Sequence, residues 1–190
     1  MMRRDVLVSL LCSLPLALAG CEKRAASQSI TKTSQESGQA KFDVCGLIEK
    51  EEIEAVQGSP IKETKSSARS EGDLRISQCF YTAAEFSRSV NLAVIQRDPD
   101  QQAKRSPRDF WQETFDRKEG RATEEKEASV SPKKIDGIGE EAYWSPNRFG
   151  GVLYVLKEDA FLSISVGGPD DEESKINKSK TLAQKALQRL

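Results

Sequence analysis

Residues 142–166 read AYWSPNRFGGVLYVLKEDAFLSISV and carry the clearest strand signal in this chain of 190 residues. Within them, residues 142–145, 151–156 and 160–166 have the apolar alternation and the aromatic and β-branched side chains that are typical of strands. The two connectors between these segments are short and contain Pro, Asn, Gly and Asp. Short connectors favour antiparallel neighbours, so the stretch predicts a three-stranded antiparallel meander.

The chain before this stretch repeats a similar order of elements. Residues 50–57 predict a short helix that ends at Gly58, because glycine readily takes the left-handed conformation that closes a helix. Strands are predicted over residues 61–65, 74–83 and 90–94, of which the first has the weakest pattern and the last alternates apolar and small or polar side chains.

Two further helices complete the expected order. Residues 106–109 read Ser-Pro-Arg-Asp, which places an N-cap, a first-turn proline and a capping acid before an aromatic helical face. Residues 116–134 are charged and predict an exposed excursion. The chain closes with a predicted helix over residues 171–190, in which acids stand near the start and bases near the end, as the helix dipole favours.

The order helix, three strands, helix, three strands, helix predicts an α+β fold with helices packed on an antiparallel sheet. Two three-stranded units stand out, because the segment around Cys79 and the strand after it echo the segment around Trp144 and the strand after that. An internal duplication would produce this echo. Two antiparallel hairpins of similar length would also produce it, and the sequence leaves both explanations open.

Residues 1–20 have the layout of an export signal, with Arg3 and Arg4 before a short apolar run that ends in small residues. The run is too short to span a bilayer comfortably. Because Cys21 follows Leu-Ala-Gly, the segment resembles the lipobox of bacterial lipoproteins. That resemblance implies cleavage before Cys21 and lipidation of its thiol, with acyl chains such as palmitate on the new terminus. An ordinary secretory signal with a chance cysteine is the alternative.

Residues 21–41 are rich in Ser, Thr, Gln and charged side chains and predict a flexible tether, because they contain too little apolar surface to fold. A coil of this length would span about 25 Å. A single folded α+β domain is expected over residues 42–190. In a bacterium with two membranes, Glu22 after the lipidated cysteine favours the periplasmic face of the outer membrane, since aspartate there is the usual signal for inner-membrane retention.

Two cysteines remain after the signal and the lipid site are set aside, namely Cys45 and Cys79. A single pair in an exported protein predicts one structural disulfide. Two buried free thiols or a redox pair are the alternatives. The redox pair is disfavoured because the chain has no Cys-x-x-Cys spacing that would lower a thiol pKa.

These features together resemble a family of small bacterial envelope lipoproteins with a domain of unknown function, best known from actinobacteria. The resemblance is carried by the lipobox, the Ser-rich tether, a Cys-x-Leu-Ile element over residues 45–48 before an acidic helix, the strand cysteine Cys79, and Gly-Ile-Gly-Glu-Glu-Ala-Tyr-Trp over residues 137–144. It implies an extracytoplasmic domain with a disulfide between the two cysteines. It implies no reaction, so no catalytic residue follows from it.

The chain contains no histidine, and this excludes Ser-His-Asp and Cys-His nucleophiles and most zinc or copper sites. Three weaker motifs remain. Residues 131–134 match the Ser-x-x-Lys motif but lack its companion motifs. Residues 170–173 are acidic, and they fit the cap of a helix better than a calcium site. Gly137-x-Gly139 fits a turn better than a dinucleotide site. The sequence therefore predicts no catalytic residue, metal or cofactor.

A formal net charge of −1 without a basic stripe disfavours nucleic acid as a partner.

Aromatic side chains are the remaining candidates for a binding surface. Phe110 and Phe115 are expected in the core beneath a helix. Trp144 and Phe149 flank a predicted hairpin tip, and they are the binding candidates, although a place in the core is the more common fate of such side chains. Both interpretations remain open at this point.

Three functions from different classes are compatible with these features. The leading hypothesis is a lipid-anchored, non-enzymatic binding module of the cell envelope that docks an envelope protein or a wall polymer. The alternatives are a carrier of small molecules or lipids with a pocket between sheet and helix, and a hydrolase that uses carboxylates or Ser/Lys. A large apolar pocket would favour the carrier, and convergent carboxylates with shifted pKa values would favour the hydrolase.

Overall fold

In the computed structural model, residues 42–102, 104–119 and 131–190 are described, except for the side chains of residues 116–119. They form an α+β fold, as the sequence predicts, with a seven-stranded antiparallel sheet. The predicted signal, tether and lipid site, Cys21 included, lie outside the described residues. None of the helices in the described ranges is long and apolar enough to cross a membrane.

The strands of the sheet are β1 Ile61–Glu71, β2 Leu74–Ala83, β3 Val90–Arg97, β4 Lys133–Lys134, β5 Glu141–Ser145, β6 Val152–Lys157 and β7 Ala160–Val166. Their order across the sheet is β1-β2-β3-β7-β6-β5-β4. The predicted meander is therefore confirmed, and its last strand joins the first half of the chain through the antiparallel β3–β7 pair, in which Leu92 lies opposite Ile164.

Three α-helices accompany the sheet: α1 Lys50–Gln57, α2 Pro107–Glu119 and α3 Glu172–Arg189. Their ends follow from local chemistry. Gly58 closes α1 with φ 65°, and the Asp171 carboxylate accepts a hydrogen bond from the Ser174 backbone N–H at the start of α3. Two 3₁₀ turns, Val44–Leu47 and Phe86–Arg88, complete the described elements.

The larger hydrophobic core lies between one face of the sheet and a layer formed by the first 3₁₀ turn, α1 and α3. Alternate residues of the central strands point into it, as the two-residue period of a strand requires. Trp144 belongs to this core and is fully buried, so the prediction that its indole lines a binding surface is wrong. Trp144 points into the larger core, whereas Tyr143 on the other face of β5 packs against Trp111 and Phe115 of α2. Side chains on both faces of this strand are therefore covered.

The second core lies on the opposite face of the sheet, where α2 packs against one end of the strands. Trp111 and Phe115 of α2 are buried there, as expected for Phe115, whereas Phe110 is partly buried against the same cluster. The strand residues of this core are Leu74, Ile95, Leu156 and Phe161. Because α1 and α2 lie on opposite faces, the two halves of the chain do not match element by element, and an internal duplication is not confirmed.

The disulfide predicted between Cys45 and Cys79 is confirmed, with an S–S distance of 2.05 Å. It fastens the first 3₁₀ turn to β2 across 34 residues of sequence. The Tyr81 hydroxyl reinforces this contact by donating to the Cys45 carbonyl at 3.0 Å. Closing a loop of this length contributes about 3–4 kcal/mol to stability in the chain-entropy account.

Candidate functional site

Phe86 and Phe149 are the large apolar side chains that stay mostly exposed among the described residues, at 70% and 76% of their surface. Phe86 lies in the 3₁₀ turn between β2 and β3, and Phe149 lies in the connector between β5 and β6. The predicted position of Phe149 on an exposed hairpin tip is thus confirmed.

Both rings line the same groove, whose volume is about 530 Å³. This lies within the range of pockets that hold small molecules. The groove is at the end of the sheet that α2 leaves uncovered. Its lining consists of three phenylalanines, five neutral polar residues, three glycines and a valine: Phe80, Phe86, Phe149, Ser87, Ser89, Asn91, Asn147, Ser165, Gly151, Gly167, Gly168 and Val166.

The floor of the groove follows from strand register. Phe80 lies opposite Asn91 on β3, and Asn91 lies opposite Ser165 on β7, so the three side chains form one row across the sheet. They point away from the larger core, since their neighbours Cys79, Leu92 and Ile164 point into it. All three floor residues are half-buried.

One wall is the turn that carries Phe86, and hydrogen bonds fix it in place. The Gly167 N–H donates to the Ser89 carbonyl at 2.9 Å, and the Gln57 side-chain amide donates to the carbonyls of Arg88 and Gly167 at 2.6 and 3.2 Å. Only glycine fits at position 167, because a Cβ there would lie 2.0 Å from the Ser87 carbonyl oxygen. The Phe86 wall is therefore held against the end of β7 by main-chain contacts and by the Gln57 side chain.

The opposite wall is the turn that carries Phe149. The Phe149 N–H donates to the Asn147 side-chain oxygen at 2.8 Å, and the Gly150 N–H donates to the Asn147 carbonyl at 3.0 Å. The Arg148 guanidinium lies over the Phe149 ring, 4.7 Å from its centroid, in cation–π geometry. These contacts hold the turn and cover one side of the exposed ring.

The lining of the groove carries no formal charge within the described part of the chain. Of the ionic groups beside the groove, the Arg148 guanidinium is stacked on the Phe149 ring, and Arg88 and Lys178 are paired with acids. Arg88 donates to Glu85 at 2.8 Å, and Lys178 donates to Asp170 at 2.7 Å. These hydrogen bonds lower the pKa values of the Glu85 and Asp170 carboxyl groups below their usual range, so both acids stay ionised and engaged. The residues that line the groove are thus uncharged, and its walls are aromatic.

A second cavity of about 700 Å³ lies between the Gly137–Gly139 turn, the β6–β7 connector and the C-terminal part of α3. Its polar groups already serve the fold. The Lys157 ammonium donates to the Leu187 carbonyl at 2.9 Å, and Glu140 accepts hydrogen bonds from Arg108 and from the Glu158 N–H. The lining of this cavity combines apolar groups with charged groups that are engaged within the fold.

The weaker motifs have structural roles or lie on the surface. Gly137 and Gly139 have φ of 76° and 61° in a turn before β5, as expected, and Asp171 caps α3. Lys133 and Lys134 form the exposed edge strand β4. Across the described residues, no group of three or more Cys, Asp or Glu side chains is placed to hold a metal ion.

Sequence reasoning missed Phe86, Phe80, Asn91 and Ser165. Phe86 stands in the polar connector Glu-Phe-Ser-Arg between two strands, and an isolated aromatic residue in such a connector is a usable signal. The floor residues carry no comparable signal, because their position depends on the pairing of β3 with β7, strands that lie about seventy residues apart in the sequence.

Comparisons of the chain with family models, with curated proteins and with solved structures found no match. The candidate site is therefore identified from its geometry alone.

Proposed function

We propose that this chain is a lipid-anchored, non-enzymatic binding module of the cell envelope, and that the groove between Phe86 and Phe149 is its binding surface. One observation carries the proposal: the two large apolar side chains left exposed among the described residues face the same groove. Aromatic side chains are enriched at the centres of interfaces, where their burial supplies much of the binding free energy.

The surroundings of the groove support binding over chemistry. The chain has no histidine, the Cys45 and Cys79 thiols are joined in a disulfide, and the acids nearest the groove are held in ion pairs. The floor is made of paired strands, and hydrogen bonds hold both wall turns, so binding here would cost less conformational entropy than binding to a loop without such contacts.

The predicted anchor fits this function. Lipid on Cys21 and a polar tether over residues 21–41 would hold the groove near a membrane surface, where it would meet an envelope protein or a wall polymer. Localisation in the envelope, on the periplasmic face of the outer membrane in a bacterium with two membranes, is part of the same proposal.

The proposal is tested by capture from envelope fractions, with membrane and wall material assayed separately. The wild-type chain is compared with the Phe86→Ala/Phe149→Ala variant. Gln101→Ala/Gln112→Ala is the matched control, since both glutamines are exposed and lie outside the groove lining. Loss of capture in the phenylalanine variant alone supports the groove as the binding surface. Equal capture by all three proteins contradicts it.

A further inference from the structure

We propose that the groove binds a short, neutral oligosaccharide. This inference rests on the proposed binding function and names the class of ligand. It follows from three properties of the lining: unengaged polar side chains on the floor, aromatic rings in the walls, and the absence of charged lining residues among those described.

Asn91 and Ser165 provide the polar part of the site. They face each other across the β3–β7 pair and are half-buried. Neither side chain has a hydrogen-bond partner within the described residues, whereas Ser87, Ser89 and Asn147 use theirs within the walls. An amide and a hydroxyl can each both donate and accept, and this is the pattern needed to bind the hydroxyl groups of a sugar.

Phe80, Phe86 and Phe149 provide the apolar part. The rings of Phe80 and Phe86 lie 6.2 Å apart, centroid to centroid, on one side of the groove. A pyranose ring presents a face of C–H groups together with a rim of hydroxyls. It can therefore cover an aromatic ring while its hydroxyls reach the polar floor.

The uncharged lining selects against anionic and cationic ligands. A phosphate or carboxylate group on the floor of the groove would lose hydration without a charged partner among the lining residues. Beside the groove, Arg88 and Lys178 are paired with acids, and the Arg148 guanidinium is stacked on the Phe149 ring. A neutral saccharide exchanges its bonds to water for bonds to Asn91 and Ser165 without that cost.

The sheet also disfavours an extended peptide. β2, β3 and β7 are each paired on both edges, so the main chain of the floor is engaged and a peptide cannot join the sheet there as an added strand. Recognition at this floor must therefore use side chains, as sugar binding does.

Isothermal titration calorimetry of the full mature chain tests this inference. Lipid nanodiscs are used because a glycoside detergent would itself occupy the groove. The probes are chitotetraose, cellotetraose and maltotetraose as neutral saccharides, an oligogalacturonate as an anionic saccharide, and a proline-rich decapeptide. We expect at least one neutral tetrasaccharide to bind with a Kd below about 1 mM, more tightly than the anionic saccharide or the peptide.

Substitutions localise the binding. Asn91→Ala and Ser165→Ala should each weaken it about fivefold to tenfold, Phe86→Ala/Phe149→Ala should abolish it, and Gln101→Ala/Gln112→Ala should leave it unchanged. Melting curves of each variant separate a loss of binding from a loss of fold.

The outcomes distinguish this inference from the proposed function. If no neutral saccharide binds while the phenylalanine variant still loses capture from envelope fractions, the groove is a protein-docking surface and the saccharide inference is overturned. Tighter binding of the anionic saccharide or the peptide overturns it as well. If saccharides do not bind and capture is also unchanged in the phenylalanine variant, both proposals fail.

Discussion

The Trp144 indole lies directly against the backbone of Gly151, where a Cβ would come within 2.2 Å of ring carbon Cζ2. Gly151 has φ 148°, a conformation that other residues rarely adopt, and it also lines the groove. The buried indole packs on one side of this glycine, and the groove lies on the other side. The position of the Phe149 turn therefore depends on how the larger core is packed.

Gly151→Ala should therefore destabilise the fold by about 2–3 kcal/mol, because a methyl group cannot be accommodated against the ring. Gly72→Ala is the matched control. Gly72 also has a positive φ, of 60°, but nothing lies within 4 Å of a Cβ there, so only conformational strain applies. Urea denaturation measures both variants. Equal losses would show that the contact with Trp144 contributes nothing.

Trp144→Ala should cost about 3–5 kcal/mol, as much as Phe115→Ala, because both side chains are buried in close-packed cores. Phe149→Ala should change stability by no more than about 0.5 kcal/mol, since its ring is exposed. Denaturant melts of the three variants test this ranking. A Trp144→Ala variant as stable as Phe149→Ala would contradict the burial of the indole.

The Cys45–Cys79 disulfide should be present in native protein and should raise its thermal stability. Replacing both cysteines with serine removes about 3–4 kcal/mol in the chain-entropy account, which corresponds to a fall in Tm of about 10 °C for a domain of this size. Mass spectrometry of a non-reduced digest should show the two peptides linked. Alkylation of both thiols in protein that was never reduced would refute the pairing.

The helices α1 and α3 are joined by an ion-pair network that should make stability depend on pH. The Glu52 carboxylate accepts hydrogen bonds from Arg189 at 2.7 Å and from Lys185 at 2.9 Å. The bond from Arg189 makes the largest contribution, and the pKa of Glu52 falls from 4.5 to about 2. A pKa depressed by folding means that Glu52 stabilises the fold above about pH 4.5, and that this stabilisation is lost as the pH falls towards 2.

Glu52→Gln should therefore be less stable than the wild type at pH 7, and the difference should shrink between pH 5 and pH 2. Glu51→Gln, an exposed neighbour on the same helix, is the control and should follow the wild type. Urea midpoints measured across this range test the prediction. A stability difference that stays constant with pH would contradict it.

The anchor prediction is tested in cells. Because Cys21 follows Leu-Ala-Gly, Cys21→Ser should prevent lipidation and should leave the signal uncleaved or release a protein without acyl chains. Partitioning into a detergent phase should fall in the variant. Unchanged partitioning would contradict lipidation at Cys21.

Elements with local signals could be predicted closely from the sequence. α1 begins at Lys50 and ends at Gln57, because Gly58 marks its end, and β2 runs from Leu74 to Ala83 as its apolar pattern predicts. β1 extends to Glu71, beyond the predicted end at residue 65, because pairing with β2 holds a polar stretch that has little strand propensity of its own. The two-residue strand β4 was missed for the same reason, since it exists only through its pairing with β5.

The candidate site was less accessible to sequence reasoning. Phe149 could be placed on an exposed connector, whereas for Trp144 a place on the binding surface and a place in the core both stayed open, and its side chain lies in the larger core. The alternation of a strand shows that two faces exist and does not show which side chains stay exposed. Asn91 and Ser165 meet only because β3 pairs with β7, a long-range contact that no local pattern encodes.

The most direct test of the central claim is the Kd of the captured envelope component for Phe86→Ala, Phe149→Ala and the double variant, measured beside Gln101→Ala/Gln112→Ala. Each single variant should weaken binding about tenfold, a loss of about 1.4 kcal/mol, and the double variant should weaken it further while melting like the wild type. If the phenylalanine variants and the glutamine control all keep the wild-type Kd, the groove is not the binding surface.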